Sequence, residues 1–194
     1  MLKSQAEAGD IVLLFQDESE ALTHPYLARA WAKRGCDLRV QAPGQARKRA
    51  LIGVLDCAAH KLIVSTSATK LSSDFIAFLN RLDTVYGPCP GRPDKPVVLV
   101  LDNGPIHTSK ASQAALAARP WLTVEWLPKY APELNPEEYC HGNVKTHTAN
   151  AAPADRQQIR QLVDRGFARL RRRPDLLLGF IHAAGLSVKQ LWLT

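Results

Sequence analysis

A chain of 194 residues can bury a hydrophobic core of its own without disulfides or a structural metal. Its composition, 46% hydrophobic, 22% charged and 7% aromatic, is that of an ordinary soluble domain, and no apolar run approaches the ~18 residues of a membrane span. A formal charge of +7, from 25 Lys and Arg against 18 Asp and Glu, favours a polyanionic partner, since each neutralised phosphate releases condensed counterions.

The opening residues, Met1 to Asp10, lack the apolar centre of a secretory signal, which points to the cytoplasm. Ile11–Phe15 is a continuous apolar run, the mark of a strand covered on both faces, and it ends where polarity rises at Gln16, Asp17 and Glu18. Residues 20–47 read as a long connection with a short helix around Tyr26–Lys33 and a turn at Gly35. The basic run Arg47, Lys48 and Arg49 leads into a second strand, Ala50–Leu55. A tight turn at Ala58–His60 joins it as a hairpin to a third, Leu62–Thr66. Ser72 or Ser73 can cap a helix in which Phe75, Ile76, Phe78, Leu79, Leu82 and Val85 keep helical spacing, until Gly87 and Pro88 stop it.

After a loop rich in Gly and Pro, Val97–Leu101 is the most strand-like stretch of the chain, and it ends at Asp102. Thr108 or Ser109 caps a helix running to about Ala118, Leu122–Trp126 is a fifth strand, and Asn135 followed by Pro136 starts a third helix. A fourth follows Pro153, with Ile159, Leu162, Val163, Phe167 and Leu170 as its apolar stripe and Arg156, Arg160, Arg169 and Arg171–Arg173 as a solvated face. Residues 175–194 are apolar and close the fold. This order predicts one α/β domain over residues 1–194, built on a mixed five-stranded sheet with helices on both faces, as in the ribonuclease H-like fold.

The four cysteines, Cys36, Cys57, Cys89 and Cys140, contain no C-x-x-C pair, which argues against a zinc knuckle or a disulfide framework. Cys140, His141 and His147 likewise lack the second tight pair of a structural zinc site. The acids are more informative. Two apolar strands lead into Asp17 and Asp102, and a carboxylate at the end of a buried strand is costly unless it is hydrogen-bonded or holds a cation. A third acid opens the helix after Asn135. There the sequence allows two readings: Glu138 as the third position of a capping box reaching back to Asn135, or a carboxylate facing the two aspartates. Magnesium takes hard oxygen ligands, and two such ions suit in-line phosphoryl transfer.

Three blocks carry a resemblance: Asp17-Glu18-Ser19; Leu101-Asp102-Asn103-Gly104-Pro105-Ile106-His107; and Leu127-Pro128-Lys129-Tyr130-Ala131-Pro132-Glu133-Leu134-Asn135-Pro136-Glu137-Glu138. They resemble the signature blocks of D-D-E transposases, the closest group being the mariner-like superfamily and its bacterial insertion-sequence members. Trp31-Ala32-Lys33-Arg34-Gly35 is similar to a further element of that family, and the match runs from about residue 11 to Lys145. The resemblance implies a DNA-cutting and strand-joining enzyme with a ribonuclease H-like fold. It implies catalytic and metal-binding roles for Asp17, Asp102 and Glu138, which would hold two Mg²⁺ or Mn²⁺ ions. Glu137 stays open as the third ligand, because thirty-four residues separate it from Asp102 against thirty-five for Glu138. Asn103, His107, Asn135, His141 and Lys145 are expected to support the carboxylates or touch DNA. Arg47, Lys48, Arg49, Lys110 and Lys129 are expected on phosphates, where they position the duplex without reading sequence.

One departure is His141, which stands where the family usually has an aromatic residue, often Trp; it reads as a surface change or a DNA contact. The other is length. Ten residues precede Ile11, so the family's N-terminal helix-turn-helix region is expected to be absent, supplied by an upstream frame or a separate protein, or lost. The expected setting is a bacterial, nucleoid-associated homodimer acting on double-stranded DNA at transposon ends and target, with no membrane. The alternatives are a catalytically silent DNA-binding or dimerisation remnant and another ribonuclease H-like nuclease.

Overall fold

Alternation along three neighbouring strands sets the layers. In the computed structural model, which describes residues 2–24, 26–41, 44–91 and 95–186, the strands are β1 (Val12–Leu22), β2 (Lys48–Asp56), β3 (Lys61–Ser67), β4 (Val97–Leu101) and β5 (Leu122–Trp126). They form one sheet in the order β3-β2-β1-β4-β5. The first three pair antiparallel as consecutive hairpins, and β4 and β5 add parallel to β1. Side chains alternate across a pleated strand. Leu13, Phe15, Leu51, Leu55, Val98 and Val100 therefore enter one core, and Leu14, Ile52, Val54, Val97, Leu99 and Leu101 enter the other.

The second core is closed by α2 (Ser72–Tyr86), the short α3 (Pro105–Thr108) and α4 (Lys110–Ala117); α1 (Leu2–Ala8) lies at the start of the chain. On α2, Phe75, Phe78, Leu79 and Leu82 recur at helical spacing and are fully buried, each contributing about 1.5–3 kcal/mol of burial free energy. The first core is closed by α5 (Pro136–His147), α6 (Arg156–Arg171) and α7 (Pro174–Ala183). The α6 helix comes close to α5 because Gly166 has no side chain: a Cβ there would meet Val144 Cγ1 at 2.8 Å. No helix among the described residues is long and apolar enough to cross a membrane.

The mixed sheet, its five strands and the helices on both faces stand as the sequence predicts. Four local expectations do not. The helix around Tyr26–Lys33 does not form: apart from the half-buried Tyr26 these residues are exposed, and so short a helix is unstable without a packed face. The first strand does not end before Asp17 but runs on to Leu22, because its polar half pairs residue by residue with β2 from Leu14–Asp56 to Leu22–Lys48. The cap of α2 is not Ser72 or Ser73. Leu71 occupies that position, and its N–H donates to the Asp74 carboxylate at 3.0 Å. The one-turn α3 was not anticipated; Ser109 follows it and caps α4, as expected. Of the expected solvated arginines, Arg171 donates to Leu62 O and Arg169 to Asn143. Residues 187–194 of the expected closing segment lie outside the described residues.

Candidate active site

The parallel register of β1 and β4 pairs Phe15 with Val100, and the two chains run on from there to Asp17 in β1 and Asp102 just past β4, which line one cleft. Asp17 shares the strand parity of Phe15 and so belongs to the α5 side of the sheet, whereas the Asp102 side chain, past the end of β4, turns toward His107 of α3. Asp17 is largely buried in mid-strand opposite Gly53 of β2, whereas Asp102 stands past the end of β4 with its side chain about half exposed (52%).

The third acid comes from α5, and Asn135 fastens that helix to β1. Its side-chain amide donates to Gln16 O at 3.0 Å, and its Oδ1 accepts the Glu137 N–H at 3.1 Å. The backbone N–H of Asn135 is taken by Pro132 O, so the reciprocal cap by the Glu138 side chain is not made. Glu138 instead lines a cleft of about 390 Å³ together with Asp17 and Asp102. Asn103, Lys129, Tyr130 and Asn135 line the same cleft, and Asn103 donates to Leu127 O at 2.8 Å, tying its two loops together.

Each aspartate is backed by a buried imidazole. His107 of α3 is fully buried; its Nδ1 lies 2.7 Å from Asp102 Oδ1 and its Nε2 2.5 Å from Glu18 Oε1. Glu18 follows Asp17 in the strand and so faces the opposite side of the sheet, where Gln16 Nε2 also donates to it at 2.9 Å. Burial alone would lower the His107 pKa, but hydrogen bonds to Asp102 and Glu18 raise it to about 9. The hydrogen bond from His107, joined by the Gly104 N–H, holds the Asp102 pKa below the usual carboxylate range. The ring of Phe75 meets His107 edge-on at 4.7 Å.

On the other face, His141 Nδ1 lies 3.1 Å from Asp17 Oδ2 and 2.7 Å from Glu137 Oε2. His141 is 1% exposed and Glu137 0%, which corrects the expectation of a surface or DNA-contacting His141. Four residues apart on α5, the two share its inner face. Burial opposes a charge on His141, yet the close carboxylate of Glu137 and the hydrogen bond to Asp17 raise its pKa to about 10. Burial pushes Glu137 up to about 8 against the pull of His141.

Among the described residues, two groups bring three potential ligand atoms within 4.8 Å of one another, Asp17–Glu137–His141 and Glu18–Asp102–His107, and neither includes Cys140 with His147. Cys140 is buried against Pro136 O, and His147 is exposed at the far end of α5. In the second group His107 addresses its carboxylates through different ring nitrogens, Nδ1 hydrogen-bonding Asp102 and Nε2 lying against Glu18, so the imidazole bridges the acids and does not join them in a chelate. The carboxylates of Asp17, Asp102 and Glu138 line one open cleft, although they are not among the groups whose ligand atoms lie within 4.8 Å of one another. Burial and then the charge of Asp17 raise the Glu138 pKa, the strain of crowded acids that a hard divalent cation relieves. This donor set fits Mg²⁺ or Mn²⁺.

The other expected residues are dispersed. Lys145 is half-buried with Nζ 5.9 Å from the Tyr26 ring centre. Arg47, Lys48 and Arg49 lie where β2 pairs with the last residues of β1, at the end of the sheet where Asp102 also stands; Lys48 is paired with Glu20 at 2.9 Å. Lys110 and Lys129 are exposed. Sequence reasoning gave no role to Glu18 or Gly53, and weighed Glu137 only as an alternative third ligand. The strand parity of Glu18 and the four-residue spacing of Glu137 and His141 were visible signals, whereas Gly53 had none until its register partner was known.

The sheet order and its helices define a ribonuclease H-like fold. The structure is similar to the Mos1 mariner transposase paired-end complex with Mn (TM-score 0.65, 18% identity, covering 89% of this chain and 52% of that one). It is also similar to the catalytic domain of Mos1 transposase (TM-score 0.56, 16% identity, 97% and 90% covered). Residues 12–160 match the family model of the DDE superfamily endonucleases, and the chain belongs to that family. A curated relative, the insertion element IS630 uncharacterized 39 kDa protein of Shigella sonnei, is 32% identical over 123 residues, 63% of this chain. The match spans about a third (34%) of that relative's length.

Proposed function

We propose that this chain is the catalytic core of an insertion-sequence transposase, cutting DNA at element ends and joining the freed 3′-hydroxyl to target DNA with the help of two divalent ions. One observation carries the reading: carboxylates from β1, from the end of β4 and from the first turn of α5 face one cleft. Asp17, Asp102 and Glu138 would hold the ions, which when bound activate the attacking oxygen and stabilise the leaving one. The chain's own part is placement. His107 and Glu18 fix Asp102, Asn135 fixes α5 against β1, and the exposed Lys129 at the rim offers a phosphate contact. Lys110 and the Arg47–Arg49 run, elsewhere on the surface, are further candidate phosphate contacts, and double-stranded DNA is the partner they suit.

The test is nicking of supercoiled plasmid by the whole chain with Mg²⁺ or Mn²⁺. Asp102→Ala should lose at least about a hundredfold in rate while keeping its thermal midpoint, and EDTA should abolish nicking by the native chain. Cleavage unchanged in Asp102→Ala would sink the assignment. Metal-dependent binding to DNA without any cleavage would favour a silent DNA-binding remnant.

A further inference from the structure

We infer that Glu137 and His141 are a positioning pair for Asp17: His141 donates its Nδ1–H to Asp17 Oδ2, and Glu137, seated on Gly53, holds the imidazole in place. This deepens the metal-dependent reading and rests on it.

The case begins with what burial costs. Glu137 is wholly enclosed, and neither of its oxygens has an aligned hydrogen-bond donor, although Oε2 is 2.7 Å from His141 Nδ1. A buried ion pair is rarely the most stable filling for such a space; apolar residues of the same volume usually serve as well or better. The surroundings would accept them, since Cys140, Val144 and the edge of Phe167 lie on the same core face. Packing therefore does not account for the pair.

What an apolar pair could not supply is a donor to Asp17. Asp17 is the one cleft carboxylate in mid-strand, where the β1 backbone is occupied by its neighbours and no turn N–H is at hand. Asp102, by contrast, accepts from the Gly104 N–H as well as from His107. His141 fills that gap on the α5 side, leaving Asp17 an exposed edge that lines the cleft. Room for the arrangement comes from the strand below: a Cβ on Gly53 would lie 1.9 Å from Glu137 Oε1 and 3.4 Å from His141 Nε2. The parallel with His107 and Glu18 behind Asp102 is close. In each case a buried imidazole lies beside a cleft aspartate and a buried glutamate, although His107 turns a different ring nitrogen to each while His141 meets both through Nδ1.

A ligand role is the competing possibility, since Asp17, Glu137 and His141 offer atoms within 4.8 Å of one another. The geometry favours positioning: the Nδ1–H points at Asp17, and neither Glu137 nor His141 lines the cleft through which a hydrated ion arrives.

Mn²⁺ alone is the probe, titrated into the full chain and followed by electron paramagnetic resonance, with plasmid nicking measured in parallel. His141→Leu, which matches the shape but lacks the donor, should weaken Mn²⁺ binding about tenfold. His141→Asn, whose side-chain N–H can reach Asp17, should return to within about threefold of the native constant. Should His141→Leu not fold, the isosteric Glu137→Gln serves in its place and should weaken binding several-fold. No nitrogen coupling is expected in the native Mn²⁺ echo spectrum. Native-like binding in His141→Leu or Glu137→Gln, or equal losses in His141→Leu and His141→Asn, would overturn the inference, and a histidine nitrogen coupled to Mn²⁺ would make His141 a ligand instead. A native chain that neither binds Mn²⁺ nor nicks DNA would bring down the metal-dependent reading itself.

Discussion

At Gly53 the constraint is space and not backbone conformation. A methyl group there would fall on the Glu137 carboxylate, which is wholly enclosed and packed against His141. Gly53→Ala should therefore cost about 1–3 kcal/mol of folding free energy, the range for overpacking a filled core. Urea unfolding checks this, and a native midpoint would mean that the carboxylate swings aside freely. Several neighbours could be read from the sequence because their chemistry is local. Asp17, Asp102 and Asn135 each sit at a junction of apolar and polar sequence, and the structure brings all three to one cleft. Gly53 could not be read, because its significance depends on a strand partner thirty-six positions away. His141 was misread for a related reason: the sequence places it on a helix but does not say which face of that helix meets the sheet.

Among the elements, α2 shows how a helix start can be built without a capping residue at the cap itself. Asp74 accepts from the Leu71 N–H and from the hydroxyls of Ser67 and Thr69, joining the helix to the end of β3. Burial would raise its pKa, but these hydrogen bonds hold it below the ordinary carboxylate value. Asp74→Ala should cost about 1 kcal/mol near neutral pH. Because the folded pKa is depressed, that advantage is complete above the unfolded value of about 3.9 and fades as pH falls through the folded one. The native and variant unfolding curves should thus converge once the pH has fallen below the depressed folded pKa; a gap that persists in strong acid would mean that the carboxylate's charge is irrelevant. The strands and long helices were legible because a repeating apolar pattern marks them. The helix expected at Tyr26–Lys33 failed because spacing alone provides no surface to pack against, and the polar half of β1 was hidden because pairing with β2, not apolar character, keeps it extended.

For the whole molecule, the excess of 25 basic over 18 acidic residues should express itself as salt-sensitive DNA binding with little sequence preference. Plotting the logarithm of the association constant against that of the salt concentration should give a straight descending line. Lys129→Ala should make its slope shallower by about one unit. An unchanged slope would remove Lys129 from the interface. The family match over residues 12–160 covers every element that supplies the cleft.

The register of β1 also limits how this domain can change over generations. Asp17 and Glu18 face opposite sides of the same strand, each matched to its own histidine. Inserting or deleting one residue between Val12 and Gln16 would exchange their sides, setting Glu18 before α5 and Asp17 before α3. Length variation among descendants should therefore collect in the connections, such as residues 26–47, and spare this strand, whose count of residues is inherited as strictly as their identity.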